Sequence, residues 1–549
     1  MKQFMMTGIC VLLITGLLTG CSAGQKNASI ETAQSAPAGE ETAATNSSQE
    51  SVNEAASPAH REGSSETGEK DRFAAEPLAI YMDVQYQSET ADDGTMLVSG
   101  HYPRIWMGGE DSRYEALSQA ITAYTEKLAE SNAQEIAQLK ADAESGMKDG
   151  WWTEGSYYTS ELDARVMRSD STVVSVLVTA SSFSGGAHPN YGYQAVNFDS
   201  RMGTELELND VLEDGQLDNL PELLSTKLLE MYPPETFYAS AKDLAGTIRT
   251  ALLDTGKDDA ESGGVAWTLG NDGIRFYFAP YEIAPYAAGA QMVMLRYVDN
   301  PELVKQEYVA ASLDFIEPFM MDVLTTLPGT KAKTLKVSYL PSGSSDEDEY
   351  TFTMTLGDNT YTEDIHGYHF DPYLVHKGER NYLYLEVGVE SDWKYLKIYD
   401  LNGNQIPEAK EFDREFRYES PTDPDQMELA TRTDLLSTNG AWRRYTLDAA
   451  GMPKETETYD YIQPDLVSSL TTRKDLKAEV RSSEQGAGTE ETIAAGTVLN
   501  FYATDEESWV DFKDADDRFI RIAVSKNDGV DQIDGVPAEE LLDGLMFAG

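Results

Sequence analysis

Cysteine is nearly absent from this chain. Its 549 residues contain two, Cys10 and Cys21. No disulfide can staple the folded part, so stability must come from core size. Long apolar runs are scarce as well, and after residue 18 no stretch is long enough to cross a bilayer. Positive charge is thin: Lys plus Arg number 42 against 95 Asp plus Glu, a formal net charge of -53. Such a surface repels nucleic acid and attracts cationic proteins, cationic peptides and divalent ions. It also serves plain solubility. There is no HExxH, no GxSxG, no phosphate loop and no dinucleotide fingerprint. These absences point away from an enzyme and from a bound cofactor, while a site of dispersed carboxylates stays open.

What is present begins at the N-terminus. Lys2 supplies a basic start, and Phe4 to Leu18 is an uncharged apolar run of signal-peptide length. It closes on Leu18-Thr19-Gly20-Cys21. Small residues before a Cys suit a lipoprotein signal peptidase, and the Cys21 thiol is the atom that receives the lipid. Residues 1–21 are therefore expected to be a lipoprotein signal peptide. Acylated Cys21 would anchor the chain in the membrane at its extracytoplasmic face, where more than one acyl chain makes anchoring stable. Cys10 would leave with the signal.

From Ser22 to Arg72 there is no Phe, Trp or Tyr, and Ile30 and Val52 are the only large aliphatic residues. Residues 22–76 cannot bury enough apolar area to offset ordering, and read as a disordered tether. Beyond it, hydrophobic residues are frequent enough, at 41% of the whole chain, to build real cores. Ile80, Met82, Val84 and Tyr86 alternate as in a strand. Tyr114, Leu117, Ile121, Tyr124 and Leu128 share one helical face, with Asp111 or Ser112 as the cap. Further helices are predicted over Leu220–Met231 and Ala241–Leu253, and a hairpin joins Val265–Leu269 to Ile274–Phe278 through Gly270-Asn271-Asp272-Gly273. This order predicts an α+β domain over 77–308, with mixed helices and antiparallel sheet. After Pro328-Gly329 strands dominate, predicting a β-rich domain over 330–465 and a small β domain over 466–549. Asn402-Gly403 is a two-residue hairpin signal. The closely spaced strands Val498–Ala503, Ser508–Phe512 and Phe519–Val524 suggest a small SH3-like barrel.

Two segments of the α+β domain stand out. In Ser181–Asp210, Gly185 and Gly186 free the backbone, and His188, Asn190, Tyr191 and Tyr193 follow with polar tips. Phe276–Gly289 carries Tyr281 and Tyr286 between prolines. Each has a bland alternative: a packed hairpin loop with a locally satisfied His188, and an aromatic run that serves core and turn. In this order, with the Trp267 hairpin leading into the second, the segments resemble the extracellular domain of unknown function shared by RsiV-type lysozyme-sensing anti-sigma factors and PdaC-type peptidoglycan deacetylases. The resemblance covers about residues 77–308. In the sensor branch it implies that this domain binds lysozyme. The chain lacks the sensors' cytoplasmic anti-sigma segment and spanning helix, and the deacetylases' Asp and paired-His motifs are absent after Tyr308. Only a binding module is expected to carry over.

Weaker patterns lie further on. Asp364, His366, His369, Asp371 and His376 cluster in sequence, but their spacing matches no closed zinc site. Asp400, Asn402, Asn404 and Glu411 imitate a calcium loop, yet Gln405 stands where Gly is required. Asp528, Asp531 and Asp534 read as a solvated acidic loop. The sequence thus leads to a non-enzymatic, lipid-anchored surface protein that binds peptidoglycan, another wall component or a cationic wall-active protein such as lysozyme. A wall-glycan enzyme and a structural or adhesive protein are the alternatives.

Overall fold

Alternating apolar residues build the first sheet. It contains β1 (Ile80–Thr90), β2 (Met96–Met107), β3 (Tyr158–Ser169), β4 (Val173–Phe183) and β5 (Asn190–Asp199), in that spatial order. The computed structural model describes residues 75–548, apart from 110, 151, 153–155, 254–264, 310–313, 344–347, 390–392 and 465–466. Cys21 and all but the end of the expected tether lie outside the described residues. Neighbouring strands are antiparallel except β2 and β3, which run parallel. A parallel pair needs a crossover, and α1 (Glu115–Asp149) supplies it. Asp111 caps the 3-10 turn that leads into α1, accepting from Arg113 N at 2.9 Å.

The helix is much longer than the sequence pattern alone predicts. Its buried face continues through Asn132, Ile136, Leu139 and Ala143. Asn132 interrupts the apolar stripe, but its amide is satisfied, donating to Ser160 O at 3.1 Å and Ser160 Oγ at 3.0 Å. The stripe packs on one face of the sheet, made by residues such as Met82, Ile105, Val166, Val174 and Val176.

A second layer lies on the opposite face. It contains α2 (Leu208–Val211), α3 (Gln216–Met231), α4 (Leu244–Leu253) and an antiparallel sheet of β6 (Ala266–Leu269), β7 (Gly273–Phe278) and β8 (Gln291–Arg296). Every residue of β7 is buried. Ile274, Phe276 and Phe278 join the core of α3 and α4, while Tyr277 joins Met167 and Leu177 of the first sheet. The N-terminal region is therefore four layers: helix, sheet, sheet, helices. Asn197 on β5 clasps the two sheets. Its Oδ1 accepts from Ser175 Oγ at 2.6 Å and Leu269 N at 3.0 Å, and its Nδ2 donates to Trp267 O at 3.0 Å. At the end of β5 the chain turns at Gly203 (φ +63), where a Cβ would lie 2.4 Å from the Ala116 backbone.

The rest of the described chain is mostly strand. β9 (Phe315–Pro318), β14 (His369–Lys377), β15 (Arg380–Val389), β16 (Trp393–Asp400) and β17 (Lys410–Phe412) form one sheet; β10 (Thr325–Thr326), β11 (Thr334–Pro341), β12 (Glu349–Leu356) and β13 (Asn359–His366) form another. They face each other across Val337, Phe352, Met354, Leu383 and Leu385. The other face of β14–β16 packs through Tyr373, Tyr384 and Ile398 on Leu429 and Tyr445. Burial on both sides is why Tyr382–Leu385 shows no polar alternation.

A further sheet of twelve strands runs from Glu415 to Asp543. The strands expected to close a small barrel are present at Val498–Thr504, Trp509–Lys513 and Phe519–Ala523. They do not close it: the first of them also pairs with Asp460–Gln463, so the set continues into an open sheet. Asn402-Gly403 is not a two-residue hairpin either. Residues 401–409 form a loop between β16 and β17, and the Asn402 side chain is drawn to Asn381, accepting from its N at 2.9 Å and donating to its O at 3.1 Å. Among the described residues no helix is long and apolar enough to cross a membrane.

Candidate functional site

The two distinctive segments meet at one end of the α+β region. The β4–β5 connection turns through Gly185 (φ +81) and Gly186 (φ +126), conformations that favour glycine. It delivers His188 onto the face of Tyr286, with ring centroids 3.8 Å apart and planes 19° from parallel. Tyr286 opens a 3-10 turn, Tyr286–Ala288, in the loop between β7 and β8. Two hydrogen bonds fasten the segments. Tyr286 OH donates to Pro189 O at 2.9 Å, and Ala290 N donates to Tyr191 OH at 2.9 Å. His188 Nδ1 donates to Pro189 O at 2.7 Å, which fixes the ring plane.

The rings are graded from surface to core. Tyr281 is 50% exposed and lies 5.7 Å from Tyr286 between centroids. Tyr191 is buried, 5.8 Å from Tyr286 and 6.4 Å from Tyr193. Tyr193 is half-buried and continues inward to Tyr277 at 5.5 Å. Burial pushes the Tyr191 hydroxyl up, so it stays protonated. Tyr281 adopts φ +74, an uncommon conformation for a bulky side chain, held by Tyr281 N donating to Ala284 O at 2.9 Å and by fully buried Ile283 and Ala284. A strained backbone and an exposed ring thus coincide at Tyr281.

The structure therefore brings His188, Tyr191, Tyr193, Tyr281 and Tyr286 into one cluster. Asn190 is half-buried at the start of β5, opposite Ser182, and has no part in the ring contacts. His188, Tyr281 and Tyr286 offer the accessible surface, while Tyr191 and Tyr193 support them from behind. One residue escaped the sequence reading. Tyr238 is 58% exposed, and its amide donates to Ile283 O at 3.0 Å, which ties it to the same loop. Its only sequence signal is a second aromatic beside buried Phe237, after Pro233-Pro234. Stacked and edge-on rings with polar tips make a rigid amphipathic surface suited to protein or glycan contacts.

The other patterns disperse. Asp371 accepts from His369 Nε2 at 2.5 Å and from Arg165 Nη2 at 3.2 Å. Burial alone would raise this carboxyl, but those two partners hold it well below the usual carboxylate range. His376 pairs through Nδ1 with Asn381 Oδ1 at 2.8 Å, and Asp364 accepts from Thr351 at 2.6 Å. Asp400 is engaged by Asn402 and Arg380, and Glu411 by Lys397. Among the described residues no group of three or more His, Cys, Asp and Glu side chains is arranged to hold a metal. The acidic loop departs from expectation at one position: Asp531 is 7% exposed rather than solvated, because its Oδ2 turns inward to accept from Leu436 N at 2.7 Å.

No curated protein matches the chain. Among solved structures it is similar to a member of the DUF3298 family from Bacteroides fragilis, at 18% identity and TM-score 0.30, covering 42% of this chain and 96% of that one. It is also similar to a DUF3298 family protein from Pseudomonas aeruginosa, at 16% identity and TM-score 0.27, covering 43% and 98%. Residues 209–297, from α2 through β8, match the family model described as "Protein of unknown function (DUF3298)". The loop carrying Tyr281 and Tyr286 thus belongs to a DUF3298 domain, and His188 and Tyr191 reach it from the strands just before.

Proposed function

We propose that the chain is a lipid-anchored surface protein, non-enzymatic, whose ring cluster recognises a cationic wall-active protein such as lysozyme or another component of the cell wall. The observation that carries this reading is the meeting of His188, Tyr281 and Tyr286 on one exposed surface, braced by Tyr191. Aromatic anchors with polar tips are the residues that dominate protein interfaces. The charge of -53 favours a cationic partner and speeds encounter with it. The resemblance to lysozyme-sensing domains selects lysozyme as the first ligand to try. The Cys21 anchor and extracytoplasmic location belong to the same proposal.

Salt separates a specific interface from bulk attraction. At physiological ionic strength charges are screened beyond about 8 Å, so attraction by net charge alone fades. Immobilised protein should retain a cationic lysozyme at both low and physiological salt. Complete elution at physiological salt, as for an unrelated protein of equal charge, would overturn the reading.

A further inference from the structure

Elsewhere in the molecule, aromatic faces are covered by the chain's own cations. Arg417 lies 3.6 Å from the Trp442 ring centroid, Arg521 3.5 Å from Trp509, Lys513 4.4 Å from Tyr502 and Arg104 5.0 Å from Trp106. Such contacts form because the face of an aromatic ring carries negative potential and attracts positive charge. The ring cluster differs. Among the described residues no Lys or Arg lies over Tyr281 or Tyr238, the rings of the site most open to solvent, at 50% and 58% exposed.

The sequence shows why. From Ser169 to Ser200, and again from Phe276 to Leu295, there is no Lys or Arg. The one charged residue of the second stretch is Glu282. Between Tyr232 and Asp243 a single cation, Lys242, is set against Glu235 and Asp243. The exposed rings therefore stand in surroundings whose formal charge is negative, and their faces are left to whatever docks there.

Tyr281 is built to present its ring. It ends the row His188–Tyr286–Tyr281, with centroids 3.8 and 5.7 Å apart. Its backbone is fixed by the bond from Tyr281 N to Ala284 O at 2.9 Å and by buried Ile283 and Ala284. A fixed backbone lowers the ordering cost of binding. An aliphatic group laid on this ring would gain from burial but would not use its negative face. A lysine ammonium is compact and strongly hydrated, so it loses water at a cost on an open surface. An arginine guanidinium is planar and weakly hydrated, and it stacks on a ring while its N–H groups remain free to donate.

We infer that the face of Tyr281 receives an arginine guanidinium of the partner protein. This rests on the reading that the ring cluster binds a cationic wall-active protein, and it names the partner group that the cluster takes.

The test titrates the full chain at physiological salt with a cationic lysozyme and with a charge-matched form of it whose surface arginines are all replaced by lysine. The lysine form should bind about tenfold more weakly, the size of a partly desolvated cation–π contact. Tyr281→Phe keeps the ring face and should bind within about twofold of wild type. Tyr281→Leu keeps apolar bulk without the ring face and should lose about tenfold. Phenylalanines of rising fluorine content at position 281 should lose affinity stepwise, because fluorine drains the negative face; a merely structural role would not respond. Equal affinity for the two lysozymes, or Tyr281→Leu binding like Tyr281→Phe at an equal melting temperature, would overturn this inference and leave the ring-cluster reading in place. Absence of saturable binding between wild type and either lysozyme would overturn both.

Discussion

Replacing Asn197 with Ala should loosen the joint that positions the ring cluster. β6 is an edge strand of its sheet, and its register with β7 leaves Trp267 O and Leu269 N pointing outward, away from β7. The Asn197 amide meets both groups, as a neighbouring strand would, and also accepts from Ser175. It is 2% exposed, so water does not replace it freely. The Ala variant strands a buried amide N–H and a buried carbonyl; the Ser175 hydroxyl can rotate to another acceptor. Each stranded group costs about 1–3 kcal/mol, and with partial relaxation the total should be about 3 kcal/mol. Urea unfolding followed by Trp fluorescence would read the stability change. Hydrogen exchange of the peptide covering residues 265–278 would localise it, with faster exchange at Leu269. A loss below about 1 kcal/mol, with unchanged exchange in that peptide, would show that the clasp is not what holds the sheets in place.

A second prediction concerns pH. Burial and the adjacent Asp460 carboxylate push Glu506 up to about 7 from its usual 4.5. Burial would raise Asp460 too, but Arg443 and Arg414 hold it below its usual value. A raised carboxyl contributes stability that is full below its unfolded value and lost as pH rises through its folded one. The C-terminal sheet should therefore weaken from about pH 5 to 8, and Glu506→Gln should flatten that slope in thermal melts. Third, Cys21→Ala should release the protein from membranes and abolish labelling by radioactive fatty acid. Full membrane retention of that variant would remove the anchor from the account.

The fold class was legible because periodicity survives in most elements. Helix α3, the hairpin β6–β7 and the three strands near Val498–Ala503, Ser508–Phe512 and Phe519–Val524 are all predicted from local pattern. The length of α1 was not, because Asn132 breaks the stripe and its satisfaction depends on Ser160, 28 residues away. The open C-terminal sheet was not legible either: whether strands close a barrel depends on who pairs with the edge, here Asp460–Gln463, and local sequence carries no pairing information. For the site, the sequence singled out both segments but could not show that His188 stacks on Tyr286. The exposure of Tyr238 and the inward turn of Asp531 are invisible for the same reason, since exposure at both positions is set by distant chain.

The ring cluster itself is open to one direct measurement. Calorimetry of the chain with a cationic lysozyme at physiological salt should give saturable binding for wild type, with Tyr281→Ala and His188→Ala run in parallel. Truncating a central aromatic anchor costs about 2 kcal/mol, roughly thirtyfold in Kd. Tyr281 is the sharper probe, because it is half exposed yet strained, and its removal should leave the fold intact. Wild type should bind, and Tyr281→Ala should lose affinity by that factor with an unchanged melting temperature. Wild-type heats no larger than those of an unrelated protein of equal charge would contradict it.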